Sequence, residues 1–282
     1  MPTVVIIGGG PAGLSAAIYA VRANLDVTVL YTDGGALGKT DKIENYFGFP
    51  EVISGAELLA RGQAQATRLG ARLVQAEATG IEYAEKGFVV KSTAGGYPAD
   101  AVILATGAPR SVPSIAGVQE FEGRGVSYCA VCDAFFYRDK AVAVLGQGEY
   151  ALEEARVLLP VAASVTLLTN GSEPPADMPE GLAVDTRPVA AVEGSDKVER
   201  VSFAEGAPLA VDGVFIAYGT AGSGDFARKL GAQLDGNKIQ TDAAMATAVP
   251  GLFAAGDCTG GLLQVAKAVS DGAQAAMSAI RF

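Results

Sequence analysis

Histidine and tryptophan are both absent from this 282-residue chain, and it holds only three cysteines. Without imidazole, the commonest general acid/base and the commonest metal ligand are missing, and no catalytic triad built on histidine can form. Three cysteines are too few for a disulfide-stapled extracellular framework. Cys129, Cys132 and Cys258 could complete a zinc site only with carboxylates, so no metal is expected. Positive charge is also scarce: 21 Lys and Arg stand against 31 Asp and Glu, for a formal net charge of −10. Nucleic acid and anionic membrane surfaces need clustered cations, so neither is an expected partner. The first apolar run has no basic residues ahead of it and is broken by Gly8-Gly9-Gly10-Pro11. Neither a signal peptide nor a membrane span is indicated, which points to the cytoplasm.

What is present is a globular, Ala- and Gly-rich composition with room for one or two domains. Val4-Val5-Ile6-Ile7 reads as a strand buried on both faces of a parallel sheet and runs into Gly8-Gly9-Gly10-Pro11-Ala12-Gly13. A helix over about 11–24 and a second strand over 27–31 follow, and Asp33 stands about 20 residues beyond the last glycine, which completes a βαβ dinucleotide pattern. Gly8 permits the tight turn, Gly10 lets backbone approach a pyrophosphate, and Gly13 lets helix pack on strand, with the helix N-terminus facing the phosphates. Asp33 is placed to take adenosine ribose hydroxyls or, alternatively, to sit as a solvated turn residue.

The pattern recurs. Residues 141–151 read as strand, Gly146-Gln147-Gly148 and helix, and a strand over 164–168 follows. Segments ending in Thr106-Gly107 and Gly256-Asp257 each read as a strand followed by a glycine turn. The expected fold is therefore α/β, with two Rossmann-like nucleotide-binding domains, the second inserted into the first: 1–110 with 242–282, and 111–241. Crossovers are expected near Ser111-Val112-Pro113 and Gln240-Thr241-Asp242. Inside the insert, Cys129-Ala130-Val131-Cys132 has a spacing that in a cytosolic chain signals redox or metal chemistry.

Taken together, the glycine motif at Gly8, Ala105-Thr106-Gly107, Cys129-Ala130-Val131-Cys132-Asp133 and Gly256-Asp257 ahead of a helix near Gln264 closely resemble the low-molecular-weight thioredoxin reductases over nearly the whole chain. The resemblance implies FAD in the first domain. Pro11, Ala12, Gly34, Gly35, Ala36, Leu37, Asn45, Ala78, Thr106 and Gly107 would lie near it, and Asp257 would hold the ribityl chain. Gln264 and the amides of Val265 and Ala266 would sit at a helix start beside the flavin pyrimidine, where a reduced flavin carries negative charge. Gly256-Asp257 alone also reads as an ordinary strand-to-helix cap.

The resemblance further implies a redox disulfide in which Cys132 takes electrons from the flavin, Cys129 attacks the partner's disulfide, and Asp133 is the acid/base. A helix opening at Cys129 would lower a thiol pKa. Two buried cysteines beside a first-turn aspartate are the bland alternative. Phe135-Phe136-Tyr137 reads as core in preference to a partner guide, Cys258 as a small core residue, and Phe282 as a terminal core contact in preference to a flavin cover. A homodimer acting on a thioredoxin-like protein is implied.

The chain departs from the family where NADPH-using members carry a basic cluster. It reads Leu167-Leu168-Thr169-Asn170-Gly171-Ser172-Glu173-Pro174-Pro175, without a cation and without a carboxylate at the strand end, and Gln147 replaces a phosphate-loop glycine. This looks like the ferredoxin-dependent flavin branch, with ferredoxin or another non-pyridine-nucleotide carrier as electron donor. A pyridine-nucleotide reductase with an atypical loop and a flavin redox sensor without turnover are the rivals. An acidic ferredoxin would need a local basic patch, for which Lys39, Lys42, Arg61 and Arg68 are candidates.

Overall fold

The computed structural model describes residues 1–107, 114–218 and 222–282. The expected crossover at Ser111-Val112-Pro113 lies outside the described residues. The chain runs β1 (Thr3–Ile7), α1 (Pro11–Arg22), β2 (Asp26–Tyr31), α2 (Gly35–Gly38), α3 (Gly55–Leu69), β3 (Arg72–Gln75), β4 (Ala78–Tyr83), β5 (Phe88–Ser92), β6 (Gly95–Ala99) and β7 (Ala101–Leu104). It continues through β8 (Val126–Ser127), α4 (Ala130–Asp133), a 3-10 turn (Ala134–Tyr137), β9 (Ala141–Gly146), α5 (Gly148–Leu158), β10 (Ser164–Leu168), β11 (Leu182–Asp185), β12 (Val189–Gly194), β13 (Val198–Phe203), β14 (Leu209–Ala210) and β15 (Gly213–Ala217). The last stretch holds α6 (Ser223–Lys229), β16 (Leu234–Asp235), β17 (Lys238–Ile239), β18 (Leu252–Ala254), a 3-10 turn (Asp257–Thr259) and α7 (Val265–Arg281).

Two compact units result, Met1–Pro109 with Gly222–Phe282, and Arg110–Ala221. The first is built on a five-stranded parallel sheet ordered β18-β7-β1-β2-β3. The second repeats that plan with β11-β10-β9-β15-β8. In each, the strand that opens the βαβ run sits centrally, its successor on one side and a late-returning strand on the other. The C-terminal ends of β1 with β7, and of β9 with β15, are therefore switch points, where open α/β sheets bind ligands. Antiparallel ribbons β4-β5-β6 and β12-β13-β14 complete the units.

Local sequence explains the elements. Val4, Val5, Ile6 and Ile7 are all buried, as a strand covered on both faces requires. Pro11 opens α1 at the position where a missing N–H costs nothing. Ala16, Ala17 and Ala20 put only methyl groups between α1 and its neighbours, and Ser15 Oγ donates to Val269 O at 2.7 Å, which ties α1 to α7. Ser54 Oγ caps α3 by accepting from Glu57 N, and Gly70 ends that helix at φ 110°. Among the described residues no helix is long and apolar enough to cross a membrane.

One boundary differs from the sequence reading. Residues 222–241 join the first unit instead of the insert. The reason is packing: Phe226 and Ala227 of α6 are fully buried, Tyr83 Oη donates to Leu230 O at 2.7 Å, and Ser223 is bonded to Thr106. None of these ties is local in sequence.

Candidate active site

In the first unit the glycines of the β1–α1 turn act as read. Gly8 has φ 123°, and a Cβ there would collide with the carbonyl of Ala105, the residue after β7. A Cβ at Gly13 would collide with the Gly8 carbonyl, whereas one at Gly10 would meet nothing within 4 Å. The turn is thus closed on the protein side and open where a pyrophosphate needs to approach. No acidic residue occupies the first turn of α1, so its N-terminal amides face an anion unopposed. Asp33 Oδ1 accepts from Gly35 N at 2.8 Å and so shapes the turn that starts α2, the element carrying Ala36 and Leu37. Both sequence readings of Asp33 remain compatible with that bond, since a carboxylate has further acceptor capacity.

Two candidates distant in sequence meet: Asn45 Nδ2 donates to Gln264 Oε1 at 3.0 Å. Gln264 is the extended residue ahead of α7, and its side chain makes no cap to the helix, which leaves the amides of Val265 and Ala266 at an uncapped, acid-free start. Ala78 is buried where β4 begins, and Gly107 takes φ 83° with open space on its Cβ side. Asp257 lies in the 3-10 turn before α7. Burial holds its carboxyl above the usual range, opposed by the Lys267 charge and assisted by that of Asp271.

Three residues in this unit went unnoticed in the sequence. Lys267 Nζ donates to Gly256 O (2.9 Å), Thr259 Oγ1 (2.9 Å) and Gly260 O (2.6 Å) and pairs with Asp271 Oδ2 at 2.7 Å. Asp271 Oδ2 also accepts from Gly256 N. This clasp fixes the loop that presents Asp257. The i,i+4 spacing of Lys267 and Asp271 on a helix was the available signal. Ser223, bonded to Thr106, offered none. Cys258 is buried and its thiol is pushed up to about 11 by burial, consistent with a small core residue. The Phe282 ring meets Phe253 edge-on while staying 66% exposed.

In the second unit Cys129 and Cys132 form a disulfide. The expected helix is short: α4 spans Ala130–Asp133 and then tightens into the 3-10 turn. Cys129 is the N-cap residue, its Sγ accepting from Cys132 N at 3.2 Å. Cys132 is exposed and Cys129 is 1% exposed, so the first cysteine, read as the one that attacks a partner, is the shielded one of the two in this arrangement. Ser127 Oγ donates to Asp133 Oδ2 at 2.7 Å and accepts from Cys129 N at 3.1 Å, linking the acid/base candidate to the disulfide backbone. Glu154, on the inward face of α5, accepts from Ala130 N at 2.7 Å. Neither Ser127 nor Glu154 was singled out in the sequence, although a glutamate amid the apolar stripe of α5 was a visible anomaly. Tyr137 is held above its ordinary pKa by burial, with Asp133 and Asp212 adding to the effect.

The aromatic run departs from the reading as core. Phe135 and Phe136 are 72% and 67% exposed. The 3-10 turn rotates both outward, and only Tyr137 reaches inside, edge-on to Phe215.

In the turn after β10, Asn170 takes φ 51° and turns its side chain inward, Oδ1 accepting from Val189 N and Nδ2 donating to Tyr218 Oη. Arg187 is bound through Nε and Nη2 to both Asp185 carboxylate oxygens and lies over Phe203 at 3.8 Å. The first turn of α5 carries Glu149, paired with Arg156.

The model of the pyridine nucleotide-disulphide oxidoreductase family matches residues 2–272. The chain is 37% identical to a thioredoxin reductase of Aquifex aeolicus, covering 99% of this chain and 92% of that protein. It is 42% identical to the atypical thioredoxin reductase TRi from Desulfovibrio vulgaris Hildenborough, whose crystal structure matches with TM-score 0.93 over 100% of this chain and 97% of that one. A ferredoxin-flavin thioredoxin reductase from Clostridium acetobutylicum matches at 31% identity and TM-score 0.71, over 99% and 96%. With its open glycine turn, uncapped α7 start and Cys129–Cys132 disulfide, the chain belongs to the low-molecular-weight thioredoxin reductases, FAD-dependent disulfide oxidoreductases of the pyridine nucleotide-disulphide oxidoreductase family.

Proposed function

We propose that the flavin of this thioredoxin reductase takes its electrons from ferredoxin or a similar small protein carrier and not from NADPH or NADH. The observation that carries the reading is the turn after β10. A 2′-phosphate bears close to two negative charges and needs Arg or Lys forks. Residues 169–175 hold no cation and include Glu173, Asn170 is turned inward, and Arg187 is committed to Asp185. Glu149 at the start of α5 is paired with Arg156, so that arginine is committed as well. NADH is disfavoured because no carboxylate ends β10 to take its ribose hydroxyls. The likeness to a ferredoxin-flavin enzyme supports the choice of donor.

FAD, when bound, supplies the disulfide with two electrons that such a carrier delivers singly. The first unit's residues hold it: Gly8, Gly10 and Gly13 with the α1 amides at the phosphates, Asp33 at the adenosine ribose, Asp257 at the ribityl chain, and the Val265 and Ala266 amides at the pyrimidine end. In the second unit, Cys132 receives the electrons, Cys129 attacks the thioredoxin disulfide, and Asp133 takes and returns the proton, held in place by Ser127. The second unit swings between flavin and partner, and the chain works as a homodimer.

The test is anaerobic flavin absorbance of the purified holoprotein. Excess NADPH or NADH leaves the absorbance unchanged, whereas reduced ferredoxin bleaches it and drives catalytic reduction of oxidised thioredoxin. Bleaching by NADPH at ordinary concentrations overturns the donor assignment. Bleaching by ferredoxin without turnover of thioredoxin makes the protein a redox sensor.

A further inference from the structure

Glu154 lies on the inward face of α5. It is 1% exposed, and its Oε2 sits 2.7 Å from the amide nitrogen of Ala130, the atom bonded to the Cys129 carbonyl carbon. A buried carboxylate is sparingly screened, so its charge acts strongly on whatever ionises next to it. The Ala130 amide opens α4, the turn that carries the disulfide, and reduction of the disulfide makes Cys129 and Cys132 ionisable. Reduction adds two electrons and two protons and gives two thiols; loss of one proton then gives a thiolate, which carries the same sign as Glu154.

We propose that Glu154 is a positioning residue for the Cys129–Cys132 pair: it pins the amide that follows Cys129 and, through its charge, keeps the reduced cysteines as thiols, which strengthens the pair as a reductant. The thiolate is then formed only when Asp133 accepts the proton. This deepens the disulfide-reductase reading and rests on it. It runs against the expectation that a helix start would lower a thiol pKa, because α4 is a single turn with a buried carboxylate set against its first amide.

The other titratable groups about the pair stay as they are in the test. Asp133 is bonded to Ser127, and Tyr137 faces Asp133 and Asp212. Tyr128 precedes Cys129, and Tyr150 is buried one turn before Glu154 on the same face of α5. Glu149 and Glu153 pair with Arg156.

The experiment uses the FAD-loaded full chain reduced by dithiothreitol, with neither ferredoxin nor thioredoxin present, so its outcome is separate from that of the donor test. Alkylation by iodoacetamide is followed against pH and read for Cys129 and Cys132 separately by peptide mass. In the unaltered protein both profiles have midpoints above the ordinary cysteine value of about 8.5. Glu154→Gln keeps the acceptor and the volume but not the charge. It raises thiol acidity about tenfold and shifts the equilibrium with dithiothreitol toward the dithiol, by up to about tenfold as pH rises through the thiol range, or about 30 mV. Glu154→Asp keeps the charge, so its profile stays near that of the unaltered protein. A midpoint below about 8.5 in the unaltered protein overturns the proposal, as does an unchanged profile in the Gln variant or an equal shift in both variants. If the Gln variant fails to fold, the unaltered protein and the Asp variant decide: both midpoints stay high if the charge acts, and the Asp variant falls if only the bond matters.

Discussion

Thr106 and Ser223, more than a hundred positions apart in the chain, are bonded to each other three times over. Ser223 N donates to Thr106 Oγ1 at 2.8 Å, Thr106 N donates to Ser223 Oγ at 3.1 Å, and the two hydroxyls share a hydrogen bond of 2.8 Å. Thr106 stands just before the chain leaves the first unit, and Ser223 just after it returns. The pair therefore holds the outgoing and incoming segments together on the first unit's side. Ser223→Ala removes the acceptor of the Thr106 amide and the hydroxyl–hydroxyl bond, keeping only the bond from the backbone N of residue 223 to Thr106 Oγ1, at a cost of about 1–3 kcal/mol. We expect a melting temperature a few degrees lower, and Thr106→Val combined with Ser223→Ala to cost less than the sum of the two, as a double-mutant cycle checks.

The glycine turn separates a folding requirement from a binding requirement. Gly13→Ala drives a methyl into the Gly8 carbonyl, so β1 and α1 must part and the chain yields little folded protein. Gly10→Ala meets nothing. That variant folds with an unchanged circular dichroism spectrum, but its methyl stands where the pyrophosphate approaches, and FAD affinity by titration of the apoprotein falls at least about tenfold. Equal FAD affinity in the Gly10→Ala protein would count against the pyrophosphate placement.

The two βαβ runs and the disulfide motif were legible because each is local: a β-branched run, glycines at fixed offsets and two cysteines three apart specify their own geometry. The return of residues 222–241 to the first unit was not, because it depends on Ser223 finding Thr106 and on Tyr83 finding Leu230, contacts that no periodicity encodes. The exposure of Phe135 and Phe136 was missed for a related reason. Apolar residues suggest core on composition, but a helix that stops after Asp133 and tightens into a 3-10 turn aims them elsewhere. Glu154 on α5 meets Ala130 across 24 positions, a contact no local pattern encodes, whereas Ser127 stands two residues before Cys129 and was within local reach.

Asp257 predicts a trade of stability against cofactor. Burial raises its carboxyl above the unfolded value, with Lys267 pulling it down and Asp271 pushing it up. A carboxyl whose folded pKa is raised binds its proton more tightly when folded, so the apoprotein loses stability as pH rises from the unfolded value through the folded one. Asp257→Asn removes that penalty. The apo variant is expected to melt higher than the unaltered apoprotein at neutral pH, with the difference vanishing in acid, while FAD binding weakens because a carboxylate acceptor for the ribityl hydroxyls is gone. Calorimetry of both apoproteins at two pH values, with FAD titrations, reads both effects; a lower melting temperature at neutral pH would sink the account.

Phe135 and Phe136 make an exposed apolar pair, ring centroids 6.1 Å apart and edge to face, in the turn that follows Cys132 and Asp133, with Arg138 over the Phe135 ring at 5.7 Å. Exposed aromatics of this size are uncommon unless something covers them, and aromatic anchors dominate the energy of protein contacts. Their truncation removes nothing from the core, so Phe135→Ala and Phe136→Ala should keep the melting temperature of the parent. Small disulfides such as dithiothreitol's oxidised form do not need a docking surface, so the equilibrium with that reagent stays unchanged too. Thioredoxin does need one, and each variant is expected to raise its KM about tenfold, equivalent to about 1.4 kcal/mol of binding. Steady-state kinetics with thioredoxin beside the small-molecule equilibrium distinguish docking from chemistry: a fall in kcat with KM unchanged would place the rings in the chemistry of the disulfide and not on the partner's path.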